Sequence, residues 1–435
     1  MKKTWLTVTV LAMVLSLVAG CTGQTQAPAP GDSAQQAPKE ITMFNLKVEI
    51  DPALKNLAAD FEKEKGIKVN VKSVGGGADY GAALRAEFQS GKEPDIFVME
   101  GVSGLDTWGS KVADLSNEPW VAQVDPKLLG LKQNGQIVGF PVAIEGYGLV
   151  YNKAILDKAG VNPDEIASYD TLKKAFETIN AKKAELGLDA VVSYTLKETW
   201  VNGNHTFNQY LAGRDNPEQF TTDLLAGKVD VTKDPLAKDY ANLIRLLVDY
   251  GDKAKLESLD YNGQVAAFGT GKTAFLHQGN WVYGNLKDLK VSFDMGFVPL
   301  AMNNTSYSAS IPVGVPSYYA VNKDSKNADA AKEFLNYIAM TERGHKYMIE
   351  EAFMIPAFKN VTLQPTDPLA KSIMKYNAAG KTLTWQFPKY SGNSWGMQVI
   401  APLTSQFAKD KNVDKFLAGI DKAAKEYSAY AANAK

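Results

Sequence analysis

Apolar and polar positions along the chain form alternating blocks that predict strands and helices. Ile41–Phe44 is typical of a strand, and the apolar residues between Pro52 and Lys65 recur at helical spacing. Gly66 is expected to end that helix, after which Ile67–Val71 alternates as a second strand. Strand, helix and strand in this order form the βαβ unit of a parallel sheet, so the pattern favours an α/β fold.

The alternation continues towards the C-terminus. A helix at about 81–89 leads into a buried strand at 94–99, and the pattern recurs after Lys153 and after Ser317. Residues 413–432 are predicted to form one long amphipathic helix. Since 435 residues exceed what one hydrophobic core usually supports, we expect two α/β lobes.

The N-terminal segment differs from the rest of the chain. A basic start at Lys2 and Lys3 precedes an apolar run from Trp5 to Val18, and small residues then lead to Cys21, the only cysteine. These features are typical of a secretory signal, and the run is shorter than the roughly 20 residues that a membrane-spanning helix needs. The position of the cysteine resembles the lipobox of bacterial lipoproteins.

That resemblance implies that residues 1–20 are a cleaved signal peptide and that Cys21 becomes the N-terminus, carrying a diacylglycerol. The alternative is a free cysteine in an ordinary export signal. Residues 21–39 are rich in Pro, Ala, Gln and small polar residues. Such a segment cannot bury enough apolar surface to offset its ordering entropy, so we expect a disordered, lipid-anchored linker.

Composition narrows the classes of function. The chain is 45% hydrophobic and 22% charged, which is typical of a globular body. Its 47 Lys and Arg nearly balance 48 Asp and Glu, which argues against a nucleic-acid partner. His205, His277 and His345 are widely separated and lack cysteine partners, which argues against a zinc site. We expect no metal and no other cofactor.

Four segments carry a family resemblance. They are Phe61–Val69, Pro141–Glu145 followed by Tyr151–Lys153, Phe268–Phe275 with Gly279–Trp281, and Ala328–Leu335. Each is weakly specific alone, whereas their order and spacing over residues 41 to about 430 make a strong match. Together they resemble the extracellular solute-binding proteins of ABC transporters, specifically the carbohydrate-binding cluster (family 1) that includes maltodextrin-binding proteins.

The resemblance implies a two-lobed, periplasmic-binding-protein-like fold of type II, with the ligand cleft between lobes joined by three crossings. These crossings are expected near 145–151, 311–319 and 352–357. The N-lobe would comprise 40–147 plus 311–353, and the C-lobe 148–310 plus 354–435. Within the third segment, Gly271–Thr273 looks like the end of a phosphate-binding loop, but Ala266 stands where that motif needs glycine. A turn before a strand is the better interpretation.

Sugar chemistry indicates which residues matter. Aromatic rings stack on the apolar faces of a sugar, while carboxylates, amides and Lys or Arg bind its hydroxyls. The resemblance places Glu145 at the glutamate that binds a sugar hydroxyl, and Trp281 and Trp395 at two stacking tryptophans. Trp385 competes with Trp395 for the same role.

The remaining candidates fall into two groups. Lys47, Glu49 and Glu100 follow strands, and open α/β sheets place ligands at the C-terminal ends of their strands. Asn280 lies within the third family segment, and Glu198 and Trp200 lie in a loop that resembles a sugar-contacting loop of the second lobe. Surface or core roles are the alternative for the carboxylates and the tryptophans respectively.

The resemblance implies a non-enzymatic receptor that binds a sugar or oligosaccharide and delivers it to the permease subunits of an ABC importer. It would be a monomer held by its lipid on the outer face of the cell membrane, or in the periplasm or outer membrane of a Gram-negative cell. Two alternatives stay open: an exported glycoside hydrolase, which needs two carboxylates about 5–10 Å apart, and a binding protein for a non-sugar solute. For an anionic solute we would expect a helix N-terminus together with arginine in the cleft.

Overall fold

The structure, a computed structural model, describes residues 39–433, with Lys39 described by its backbone only. The predictions for the signal peptide, Cys21 and nearly all of the linker therefore lie outside the described residues. Within 39–433, no helix combines the length and the apolar character needed to cross a membrane.

The strands lie in two larger sheets and one hairpin. In chain order they are β1 (Lys39–Asn45), β2 (Ile67–Ser73), β3 (Ile96–Glu100), β4 (Lys132–Gln133), β5 (Gln136–Ile137), β6 (Phe140–Pro141), β7 (Glu145–Asn152), β8 (Ala190–Ser193), β9 (Thr273–Gly279), β10 (Met295–Val298), β11 (Ile311–Gly314), β12 (Ser317–Val321) and β13 (Thr382–Leu383).

Helices cover both larger sheets. In chain order they are α1 (Asp51–Lys65), α2 (Tyr80–Gln89), α3 (Leu105–Trp108), α4 (Lys153–Ala159), α5 (Tyr169–Ala181), α6 (Phe207–Ala212), α7 (Pro217–Leu225), α8 (Pro235–Tyr250), α9 (Tyr261–Gly269), α10 (Tyr283–Asp288), α11 (Ala328–Met340), α12 (Glu342–Lys346), α13 (Pro368–Ala378), α14 (Ala401–Asp410), α15 (Val413–Lys425) and α16 (Tyr427–Asn433). Short π-helical segments occupy Val201–Thr206, Tyr347–Glu351 and Gly396–Ile400.

Local sequence accounts for the helix ends. Gly66 ends α1 in the left-handed conformation (φ 69°), as the sequence predicts. Asp79 caps α2 by accepting a hydrogen bond from the Ala82 backbone N–H. The single helix predicted at 413–432 is instead two helices, α15 and α16, with the turn between them at Glu426 (φ −92°, ψ −1°).

The first sheet has the strand order β2-β1-β3-β12-β6. β1 runs parallel to β2 and β3, which confirms the predicted βαβ units. β12 and β6 pair antiparallel to their neighbours, so this sheet is mixed rather than parallel throughout. β12 runs antiparallel to β3 because the chain enters the first sheet at β12 directly after leaving the second sheet at β11.

The second sheet has the order β13-β11-β7-β9-β8, with β10 also paired to β7. Each larger sheet has its own hydrophobic core: Leu57, Phe61 and Phe334 lie in the first, and Phe176, Leu247 and Phe275 in the second. A smaller cluster around Phe268 and Leu286 packs in the second lobe. Two sheets with separate cores confirm the predicted two-lobed α/β fold.

The chain passes between the sheets at the short segments 142–144 and 315–316. Glu145–Asn152, where the first crossing was expected, is a strand of the second sheet. Near the expected third crossing, Met354, Phe358 and Val361 pack in the first core. The predicted boundary at 353/354 therefore falls within a segment that packs largely in the first core. None of the four segments that carry the family resemblance includes these residues, so the resemblance did not determine where this crossing lies.

Candidate functional site

A cleft of about 900 Å³, part of it open to solvent, is lined by residues from both lobes. The lobes meet directly at its rim, where the Ser103 hydroxyl donates to the Pro388 carbonyl at 2.9 Å and accepts from the Gly392 N–H at 2.8 Å. The Gly101 backbone has φ 68°, and a methyl group at this position would lie 2.4 Å from the Pro388 Cβ. Glycine therefore permits this close approach.

One side of the cleft is polar. The first lobe contributes what we call the polar wall, made of Lys47, Glu49, Asp79 and Glu100. Lys47 and Glu49 follow β1, Asp79 precedes α2, and Glu100 ends β3. Because β1 and β3 are parallel, their C-terminal ends meet at the same edge of the sheet, as expected for a ligand site of an open α/β sheet.

Lys47 links the polar wall to the second sheet. Its Nζ lies 2.5 Å from a carboxylate oxygen of Glu145, the first residue of β7, and 3.0 Å from one of Glu49. Lys47 and Glu145 are both buried, and both line the cleft. Burial alone would lower the pKa of Lys47, but the two carboxylates raise it overall, so the ammonium stays charged. Burial raises the pKa of Glu145, and Lys47 opposes that shift.

Glu100 lies in a different electrostatic environment. Burial raises its pKa to about 7, with Lys47 opposing this shift and Asp79 adding to it. Glu100 lines the cleft, and its backbone carbonyl accepts a hydrogen bond from the Ser391 hydroxyl at 3.2 Å.

The opposite side is aromatic. The second lobe contributes what we call the aromatic wall, made of Trp200, His205, Tyr261, Trp281, Trp385 and Phe387. Their rings form a connected cluster: the Trp281 ring centroid lies 6.0 Å from that of Trp200 and 5.2 Å from that of His205, which is 5.7 Å from that of Trp385. Such a surface presents apolar area and few rotatable bonds to a ligand.

Trp281 is held by its immediate sequence. Its indole Nε1 donates to the Gln278 Oε1 at 3.1 Å, and Gln278 donates in turn to Gln264 at 2.9 Å. A methyl group on Gly279 would lie 2.1 Å from the Trp281 ring, so only glycine lets the ring fold back over β9.

Glu198 supports the aromatic wall from behind. It is buried, accepts from the Trp200 Nε1 at 2.7 Å, and accepts from the Tyr261 backbone N–H at 2.7 Å. A glycine run, Gly75–Gly77, reaches this carboxylate from the first lobe, since a methyl group on Gly77 would lie 3.0 Å from the Glu198 Oε2. Glu198 thus orients two wall residues where the lobes approach each other.

Two candidates from the sequence lie elsewhere. Trp395 is about 1% exposed and packs among Phe207, Tyr390 and Tyr427 in the second core, away from the cleft lining. Asn280 is buried and accepts from the Gly146 N–H at 3.0 Å, which ties β7 to the end of β9. Trp385, the competitor of Trp395, lines the cleft.

The sequence reasoning missed His205 as a site residue. Its ring stacks on Tyr147 with centroids 4.4 Å apart, and the Tyr147 hydroxyl donates to its backbone carbonyl at 2.9 Å. Its buried Nδ1 has no hydrogen-bond partner within residues 39–433. Burial lowers the pKa of His205 well below its usual value, with His277 and Lys47 adding to the shift, so the ring stays neutral. Nothing in the sequence indicates which side of its segment faces the cleft.

The sequence analysis also did not select Gly75–Gly77, Tyr261 and Phe387, which line the cleft. Gly75–Gly77 follow β2 after one intervening residue, Val74, and three consecutive glycines near a strand end could have indicated a close approach. Tyr261 carried no signal, because its contact partners Glu198 and Trp200 are distant in sequence. Phe387 lies two residues after the candidate Trp385 and packs against it, with ring centroids 5.0 Å apart.

This fold and cleft define the class of two-lobed solute-binding proteins. Residues 56–375 match the family described as bacterial extracellular solute-binding protein, and the chain belongs to that family. The resemblance inferred from the four sequence segments is therefore confirmed.

Individual relatives agree with the family match. The chain is 27% identical to a maltooligosaccharide ABC transporter solute-binding lipoprotein of Streptococcus pneumoniae, over 80% of this chain and 78% of that protein. It is 26% identical to the melibiose/raffinose/stachyose-binding protein MelE of Bacillus subtilis, over 81% and 80% respectively. The solute-binding protein RafE in complex with raffinose superposes with a TM-score of 0.76 at 19% identity, over 89% of this chain and 99% of that one.

Proposed function

We propose that this protein is the substrate-binding receptor of an ABC importer and that it binds a sugar or oligosaccharide in the cleft between its lobes. The observation that carries the proposal is the pairing of an aromatic wall with a polar wall across one cleft. A sugar presents apolar C–H faces and a rim of hydroxyls, so it matches both walls at once.

The site residues take separate roles in this proposal. Trp281 and Trp385 stack on sugar rings, while Glu145, Glu49 and Lys47 bind hydroxyls as one charged network. A network that is already ion-paired needs little rearrangement to accept a ligand, which lowers the ordering cost of binding. The relatives support an oligosaccharide as the ligand class, since their names and complexes include maltooligosaccharide, raffinose and stachyose.

Closure of the lobes completes the proposed mechanism. The rim contacts of Ser103 with Pro388 and Gly392 join the first lobe to a segment anchored in the second core by Tyr390. A hinge motion that makes and breaks these contacts would enclose the sugar and present a closed receptor to the permease.

A thermal-shift screen of monosaccharides and oligosaccharides tests this function. A bound sugar stabilises the folded state, by about 2.7 kcal/mol when its concentration is a hundredfold above Kd. This stabilisation raises the midpoint temperature of unfolding. Raffinose, stachyose and maltotriose are the first probes. Chromatography of the incubated sugars adds the enzymatic control: cleavage products would contradict a binding-only receptor and favour the glycoside hydrolase.

The lipid anchor is the finer part of the proposal. We propose that Cys21 is diacylated, and that the following linker holds the receptor beside its transporter at the outer face of the membrane. The supporting observations are the signal-like N-terminus and the lipoprotein among the relatives. Cys21→Ala should move the protein from the membrane fraction to the soluble fraction or leave an uncleaved precursor. Mature variant protein retained on the membrane would contradict the anchor.

A further inference from the structure

The charged groups that line the cleft are mostly acidic. Among the described lining residues there are four carboxylates, those of Glu49, Asp79, Glu100 and Glu145, and a single ammonium, that of Lys47. Lys47 is already shared between Glu145 and Glu49. The cleft therefore offers no unpaired cation to a ligand.

Glu100 is the carboxylate left over from this network. No side-chain hydrogen bond or ion pair joins it to any residue between 39 and 433, although it lines the cleft and is mostly withdrawn from solvent. Asp79 and Tyr80 face it from the start of α2, and Lys47 faces it from the end of β1. A carboxylate in this position gains from hydrogen-bond donors or a cation and is repelled by another anion.

The N-terminus of α2, which lies at the cleft, does not make the cleft attractive to anions. The first residues of α2, Tyr80 and Gly81, line the cleft, and a helix N-terminus can bind an anion. Here the Asp79 carboxylate already accepts from the Ala82 N–H at 2.9 Å. The helix end is thus occupied by a negative charge of the protein itself.

A second feature of the cleft points to a ligand that brings hydroxyl groups. The His205 Nδ1 and the Trp385 Nε1 are buried and unpartnered within the described part of the chain, and both residues line the cleft. The indole can only donate, whereas a neutral imidazole carries one donor and one acceptor nitrogen. A sugar hydroxyl, which both donates and accepts, is suited to both.

We infer that Glu100 selects the ligand by its charge, so that the cleft accepts saccharides that are uncharged or carry an ammonium group and rejects those that carry a carboxylate or phosphate. This inference rests on the proposed function and narrows its ligand class. Rejection is the sharper part, because an anionic sugar would meet Glu100 and Asp79 with no free cation to offset their repulsion.

The first test needs no ligand. Trp200 and Trp281 line the same cleft as Glu100, so their fluorescence reports the electrostatic potential in the cleft when iodide or caesium ions quench it. At about pH 8.5, where a Glu100 carboxyl with a pKa of about 7 is ionised, Glu100→Gln should increase quenching by iodide and decrease quenching by caesium, with acrylamide quenching unchanged. Glu185→Gln, at an exposed site outside the cleft lining, makes the same charge change and should alter neither ion's effect. Equal ion quenching in wild type and Glu100→Gln would overturn the inference.

The second test uses matched sugars in calorimetric titration: raffinose and raffinose whose galactose C6 is oxidised to a carboxylate. At about pH 8.5, where Glu100 is ionised, the wild type should bind the carboxylated form at least tenfold more weakly, and Glu100→Gln should reduce that ratio severalfold. Asp79→Asn, which keeps a good N-cap for α2, should act in the same direction. Equal wild-type affinity for the two sugars would refute the selection. If no neutral sugar binds at all, the proposed function fails while the quenching test still decides the charge of the cleft.

Discussion

The Lys47 ammonium lies 2.5 Å from a Glu145 carboxylate oxygen and joins the end of β1 in one lobe to the start of β7 in the other. Both side chains are buried, so each compensates a charge that water does not reach. The pair is therefore a structural link between lobes as well as a proposed ligand contact.

Removing the cation should leave two carboxylates uncompensated. Lys47→Met is expected to lower the free energy of unfolding by about 3–5 kcal/mol, since breaking one side of a buried ion pair strands the other charge. Urea unfolding measures this loss. The double variant Lys47→Met/Glu145→Gln should recover part of it, because one of the two uncompensated carboxylates is gone. A single variant within about 1 kcal/mol of wild type would contradict a compensating role.

The pH dependence of stability should identify Glu100 as an unfavourably buried carboxylate. Its folded pKa, about 7, lies above the ordinary 4.5, so its contribution to stability is fully present below pH 4.5 and is lost as the pH rises through 7. Relative to Glu100→Gln, the wild type should lose at most about 3 kcal/mol over this window. Thermal or urea unfolding at several pH values between 4 and 8 measures the difference. A difference in unfolding free energy between wild type and Glu100→Gln that stays constant across that pH range would contradict an unfavourably buried Glu100 carboxylate.

His205 should contribute a hydrogen bond to ligand that does not depend on pH. Its pKa is lowered well below 6.5, so the neutral ring persists between pH 6 and 8. His205→Phe keeps an aromatic ring but removes both nitrogens, and we expect it to weaken sugar binding by about 1 kcal/mol, or fivefold. Calorimetry at pH 6 and pH 8 should give the same loss. His345→Gln, outside the cleft lining, is the matched control and should leave affinity unchanged. An unaltered Kd in His205→Phe would remove His205 from the site.

Individual helices and strands could be predicted from the sequence because they depend on residues that are close together in the chain. The spacing of Leu57 and Phe61 and the glycine at position 66 determine α1 and its end without reference to the rest of the chain. The lobe boundaries depend on which core receives a residue, and Met354 shows that apolar character alone does not decide this. The antiparallel strands of the first sheet could not be predicted from local patterns either, because β12 pairs with β3, a strand more than 200 residues earlier in the chain.

The site could be predicted only where a residue type is unusual for its position. Glu145, a charge at the start of an apolar strand, and Trp281, beside a glycine, line the cleft as their patterns indicate. Trp395 and Trp385 are equivalent by sequence, yet one packs in the core and the other lines the cleft. That distinction depends on the packing of Tyr390 and Tyr427 around Trp395, which no local pattern encodes.

The central claim is that the aromatic wall binds sugar, and calorimetric titration of Trp281→Ala with the best sugar from the screen tests it most directly. Loss of a central stacking tryptophan should cost about 2 kcal/mol or more, a rise in Kd of about thirtyfold. Trp108→Phe, which packs on Phe88 and Phe97 away from the cleft, is the control and should keep the wild-type Kd. A folded Trp281→Ala variant with the wild-type Kd would contradict the account.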